Sequence, residues 1–140
     1  MIIVLVVILE IVQIKSGVRI EDVQSIKDFL TALSAMKIGN DVWIGQNVTL
    51  LPGVHVGDGC IIGTNAVVGG DIPPYSVVVD NPAKIIRKRF DDEMIELLEK
   101  LQWWNLSEKQ IQKIIPILSC GDINYVKEQI KKFLTQGEKI

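Results

Sequence analysis

His55, in the stretch "PGVHVG", is the single histidine of the chain. An imidazole titrates near neutrality and suits the work of a general base. Here it stands just before Val56, one of a set of aliphatics that return every six residues, and that pattern turns its side chain outward. His55 therefore reads as an exposed repeat residue ahead of a catalytic one. One histidine also excludes a zinc centre built from several imidazoles, and no other metal-ligand set stands out. Cys60 and Cys120 are too few for a disulfide framework. Cys60 falls at a small inward position of the repeat and reads as core. The basic run "KIIRKR", Lys84 to Arg89, lies beside the acidic "DDE" of Asp91 to Glu93. On its own it is a solvated face.

The elements that must position these residues follow from one period. Ile38, Ile44, Leu50, Val56, Ile62 and Val68 recur every six residues, and a glycine follows each of them except Leu50. Four positions behind each comes a smaller set: Val42, Val48, Val54, Cys60, Ala66 and, at the end, Ile72. Helices repeat at 3.6 residues and strands at 2, so neither explains a period of six. Positions i and i+4 can share one side of an extended backbone. Between them lie Asn40-Asp41, Asp58-Gly59 and Thr64-Asn65, which tolerate turns and positive φ. Short strands alternating with corners make a hexapeptide β-helix. At three hexapeptides per coil the array holds little more than two coils, so it calls for a cap, a partner subunit or both.

Three segments differ in pattern: a head over 1–36, the repeat array over 37–80, and a helical C-terminal region over 81–140. The formal net charge of −2 gives no sign of a nucleic-acid binder. The head opens with "MIIVLVVILEIV", which contains Glu10, lacks a basic n-region and falls short of the ~20 residues of a membrane span. It reads as a buried strand, followed by a turn at Ser16-Gly17 and an amphipathic helix carrying Val23, Ile26, Phe29, Leu30 and Leu33. From Asn81 the chain is expected to turn helical. Asp91 caps a helix with Met94, Ile95, Leu98 and Leu101 on one stripe. Ser107 opens a second helix that Pro116 ends or kinks. Asp122 opens a third, with Gly137 at its end. The fold class is mainly β: a short parallel β-helix, a C-terminal helical cap on its last rung, and an unmatched α+β head.

"IGNDVWIG" (Ile38–Gly45), "LLPGVHVGDGCIIGTNAVV" (Leu50–Val68), "DIPPYSVVVDNPAKIIRKRF" (Asp71–Phe90) and "LQWWN" (Leu101–Asn105) together resemble the hexapeptide-repeat acetyltransferases. The resemblance is to the xenobiotic branch, with its type-B chloramphenicol and streptogramin acetyltransferases and related sugar O-acetyltransferases. It covers about Ile38 to Gln112. It implies a left-handed β-helix, a cytoplasmic homotrimer, and acetyl-CoA lying between neighbouring subunits as acyl donor to a small-molecule hydroxyl. It also implies the groove residues. Trp43 resembles the aromatic near the thioester arm. Gly45 and Gln46, then Gly63-Thr64 and Gly69-Gly70, fall where backbone meets pantetheine. Lys84, Arg87 and Lys88 resemble the cations that meet the CoA phosphates. Trp43 keeps a second reading as a trimer contact, and the glycines are needed by the corners whether or not CoA binds.

The family's general-base histidine lies before the "IGNDVWIG" rung, and no histidine stands before Ile38 in this sequence. Glu10 and Asp22 are the carboxylates of the head that could stand in for it. The resemblance starts abruptly at Met36-Lys37, which reads as an N-terminally truncated family member with an unrelated leader. The function expected is an acetyl-CoA-dependent O-acetyltransferase acting by direct transfer on an antibiotic or sugar, impaired by the missing base. The alternative is a catalytically inactive trimeric β-helix scaffold or gene-fragment product, with CoA binding left open.

Overall fold

The computed structural model describes residues 35–136. These fall into two compact units that divide between Arg89 and Phe90. Residues 1–34 and 137–140, and with them the strand and helix expected of the head, Glu10, Asp22 and the helix end at Gly137, lie outside the described residues.

The first unit winds two-residue strands into a three-sided coil: β1 (Lys37–Ile38), β2 (Trp43–Ile44), β3 (Thr49–Leu50), β4 (His55–Val56), β5 (Ile61–Ile62), β6 (Val67–Val68) and β7 (Asp71–Ile72). The longer β8 (Ser76–Val79) and β9 (Lys84–Lys88) follow. One sheet runs β1-β4-β7, a second β2-β5-β8-β9, and a third β3-β6. All pairs are parallel except β8–β9. This is the parallel β-helix read from the period of six.

Ile38 pairs with Val56, Ile44 with Ile62 and Leu50 with Val68, so the first full coil consumes three hexapeptides. The next turn is two residues shorter, since Val56 pairs with Ile72 and Ile62 with Val78. The shortening falls at the Gly69-Gly70 corner. It corrects the place of Ile72, which stands in the column of Ile38 and Val56 and not in the smaller set.

Each corner has one residue in the left-handed region: Asp41, Asn47, Gly53, Gly59, Asn65, Gly70, Tyr75 and Asp80, with φ between 54 and 78°. Asp, Asn and Gly take this conformation at low cost. Tyr75 is the exception. Inside, Val42, Val48, Val54, Cys60 and Ala66 interleave with Leu50, Val56, Ile62, Val68, Ile72 and Val78 as one apolar column. Ile38 is 42% exposed because no described coil stacks on it. The Cys60 thiol is fully buried and lies 3.1 Å from the Pro73 carbonyl. Burial pushes its pKa up, which keeps it an inert core group.

The expectation of helix from Asn81 is corrected at one point. Lys84–Lys88 is a strand that folds back antiparallel on β8, with an irregularity between Val77 and Val78. The β-branched pair Ile85-Ile86 favours extended backbone, and Pro82 suits the turn that precedes it.

The second unit holds three helices: α1 (Asp92–Leu101), α2 (Glu108–Leu118) and α3 (Ile123–Gln136). The Asp91 side chain accepts from Met94 N at 2.9 Å, the N-cap expected. α1 buries Met94, Leu97, Leu98 and Leu101, so Leu97 takes the place foreseen for Ile95. Ser107 and Gln110 form a reciprocal capping box, and Pro116 sits inside α2, which ends two residues later. Asp122 Oδ1 accepts from Asn124 N and Tyr125 N to start α3, which buries Val126 and Ile130. Lys127 joins α3 to α1 through Asp91 at 2.7 Å and Glu93 at 2.8 Å. No helix among the described residues is long and apolar enough to cross a membrane.

Candidate functional site

The register of the second sheet places Trp43 opposite Ile61, Ile61 opposite Val77, and Val77 opposite Arg87. Paired residues share one side of a sheet, so the four form a single row. Neighbouring strands lie about 4.8 Å apart, which gives the row a length of roughly 14 Å. An aromatic marks one end, with Trp43 at 38% exposed. The middle is aliphatic, with Ile61 half-buried and Val77 buried. The other end is cationic and exposed, with Lys84 and Lys88 on the same strand as Arg87.

Other residues expected at the site gather along the corner that follows β2 and β5. Gln46 and Thr64 are exposed there and stand one coil apart, with Asn65 N donating to Gln46 O at 2.9 Å. Gly45 and Gly63 precede them. A Cβ on Gly45 would lie 2.6 Å from Thr64 N, so the coils could not stack at their present spacing with any larger residue. A Cβ on Gly63 would stand 3.0 Å from Val79 Cγ1. Val79 in turn pairs with Lys84. These glycines thus have a packing reason independent of any ligand, as the sequence reading allowed.

Gly69-Gly70 and His55 do not join this cluster. Gly69 packs under Leu51 at the corner after β6, and Gly70 has φ +72°. His55 stands on β4, in the column Lys37–His55–Asp71 of the first sheet. Its Nδ1 is 2.9 Å from Asp71 Oδ1 and its Nε2 is 2.9 Å from the Ala35 carbonyl oxygen. Each ring nitrogen thus faces an acceptor oxygen, and the N–H of a neutral imidazole serves one of them at a time. A groove of about 740 Å³ surrounds it, lined in part by Lys37, Asp58, Asp71 and Pro74. Among the described residues no three His, Cys, Asp or Glu side chains cluster as a metal site.

Sequence reasoning missed a second row beside the first. The Arg89 guanidinium donates from Nη1 to the Gly59 carbonyl at 2.7 Å and lies 3.7 Å from Asp41 Oδ2. It also sits over the Tyr75 ring, 5.6 Å from its centroid. In sequence Arg89 is one cation of a basic run. The signal that could have separated it is its register: it stands two residues beyond Arg87, as Asp41 stands two residues before Trp43.

An aromatic at one end of the row suits an apolar or flat group, and the cations of the strand at its other end suit an anion.

Residues 35–70 match the bacterial transferase hexapeptide family (six repeats). Over 82 residues the chain is 57% identical to a "Probable macrolide acetyltransferase" of Lysinibacillus sphaericus, covering 59% of this chain and 46% of that protein. It is 48% identical over 86 residues to a "Chloramphenicol acetyltransferase" of Agrobacterium fabrum, covering 61% of this chain and 41% of that one. The chain thus spans less than half the length of these relatives. Among solved structures, a maltose O-acetyltransferase from Clostridium difficile 630 is 46% identical over 40% of this chain and 30% of its own, with a TM-score of 0.39.

Proposed function

We propose, for a chain whose repeat array belongs to the hexapeptide-repeat acetyltransferases of the xenobiotic branch, that the Trp43–Arg87 row holds acetyl-CoA as acyl donor. The observation that carries this reading is the register of β2, β5, β8 and β9, which sets an exposed aromatic and an exposed cation at opposite ends of one row. Trp43 takes the thioester end and excludes water from it. Gln46 and Thr64, both exposed at the corner, meet the amide links of pantetheine. Lys84 and Arg87 pair with phosphate, Arg87 through its planar fork. The acceptor is a hydroxyl of a small molecule, an antibiotic or a sugar. Its oxygen attacks the thioester carbonyl, the carbon–sulfur bond breaks, and CoA leaves as the thiolate. The proposed assembly is a cytoplasmic homotrimer, in keeping with the exposed apolar side chains of Trp43 and Leu51.

The hydroxyl proton needs an acceptor. His55 stands on a different sheet from Trp43, with an acceptor oxygen against each nitrogen. That arrangement favours a second reading, a β-helical scaffold that binds CoA and turns it over slowly or not at all. Losing a general base typically costs 10²–10⁴ in rate. Calorimetric titration of CoA, followed by CoA release over a set of hydroxyl acceptors, separates the two. Binding with release supports the enzyme, and binding without release supports the scaffold. Absence of binding sinks both.

A further inference from the structure

Asp41, Gly59 and Tyr75 stand two residues before Trp43, Ile61 and Val77, and Arg89 stands two residues after Arg87 on the antiparallel strand. The four form a row next to the one proposed to hold CoA. They are also the corners of three successive coils, closed by the end of β9.

One side chain spans that row. Arg89 reaches the Gly59 carbonyl at 2.7 Å, Asp41 at 3.7 Å and the face of Tyr75, while its own N donates to Tyr75 O at 2.7 Å. Arg89 and Asp41 are 10% and 8% exposed, so water screens their attraction little. Tyr75 is 1% exposed and lies in the left-handed region at φ 56°, a costly place for a bulky residue. Its ring closes the space beside Gly59, where a Cβ would fall 2.3 Å from Cε1. Nη1 alone meets both the Gly59 carbonyl and Asp41, while the planar guanidinium lies over the Tyr75 ring; a lysine keeps the charge and lacks that flat face.

We propose that Arg89 is a positioning residue that fixes the distance between Trp43 and Arg87. It ties the free end of β9 to the corner from which β2 starts, and so holds the two ends of the groove at one separation. The proposal rests on the acetyl-CoA reading of that groove. A ligand that touches both ends depends on Arg89. A ligand that touches only the Trp43 end does not.

The test uses the full 140-residue chain and two ligands. CoA carries phosphates, whereas acetyl-pantetheine shares the thioester arm and lacks the nucleotide. Arg89→Lys is expected to weaken CoA about tenfold, the scale of one well-placed charged contact, and to leave acetyl-pantetheine within about twofold. Asp41→Asn, which leaves β9 untouched, should shift CoA in the same direction by less. In the double variant Arg89→Lys with Arg87→Ala, the CoA loss should not exceed that of Arg87→Ala alone, because Arg89 acts through Arg87. Equal losses for both ligands, additive losses in the double variant, or an unchanged CoA affinity each overturn the positioning role while leaving the groove intact. A wild-type chain that binds neither ligand overturns the acetyl-CoA reading and this proposal with it.

Discussion

His55 and Asp71 face each other on adjacent strands, Nδ1 to Oδ1 at 2.9 Å, because the coil between them is two residues shorter than the one before it. At the regular period His55 would meet residue 73. The pair therefore belongs to the stacking of coils. It is also exposed, 47% and 86% for the two side chains, where an ion pair contributes little.

His55→Ala is expected to keep CoA affinity and any acetyl transfer within about threefold of the parent chain. Asp71→Asn should behave alike. A fall of about 10²–10⁴ in turnover with unchanged CoA affinity would make His55 the base after all.

Gly45→Ala puts a methyl group 2.6 Å from Thr64 N, in a place where the opposing atom is backbone. Forcing coils apart at such a contact costs about 1–3 kcal/mol. Denaturant unfolding should show that loss. Gly70→Ala meets nothing within 4 Å but sits at φ +72°, so its cost is conformational and of order 1 kcal/mol.

The period of six carried the β-helix because each inward column takes one apolar residue from every coil. It could not show where the period breaks: Gly69-Gly70 reads as one more corner, and only the pairing of Val56 with Ile72 reveals the missing two residues. The helix starts at Asp91, Ser107 and Asp122 were legible because a capping side chain is a local signal. β9 was not, since its identity depends on β8 offering an edge. At the site, Trp43, Lys84 and Arg87 were named by resemblance, and nothing local said that Trp43 and Arg87 share one row. The Arg89–Asp41 contact joins residues 48 apart in sequence and left no trace in any short motif.

Lys127 holds the Asp91 and Glu93 carboxyls below their ordinary pKa values, chiefly through its hydrogen bonds to them. A depressed folded-state pKa contributes stability that is present above the unfolded value and lost as pH falls through the folded one. The ordinary values are 3.8 and 4.5. Lys127→Met should therefore destabilise the helical unit above about pH 4.5, and the gap to the parent chain should close as pH drops further. Thermal unfolding between about pH 3 and 7 measures it. A gap that stays constant over that range would contradict the pairing.

Trp43→Ala is expected to weaken CoA binding about tenfold or more, the scale of losing a stacked aromatic, with the oligomer mass unchanged. Sedimentation on the same sample reads the second quantity. A trimer that dissociates would assign Trp43 to subunit contact.

The central claim is that one row of a three-sided coil, from Trp43 to Arg87, holds acetyl-CoA. Titration calorimetry of acetyl-CoA into the full chain tests it most directly, with Arg87→Ala alongside. Binding in the micromolar range by the parent chain, and a loss of about tenfold or more in the variant, is the expected result. No binding by a folded parent chain, or equal affinity in the two, would contradict it.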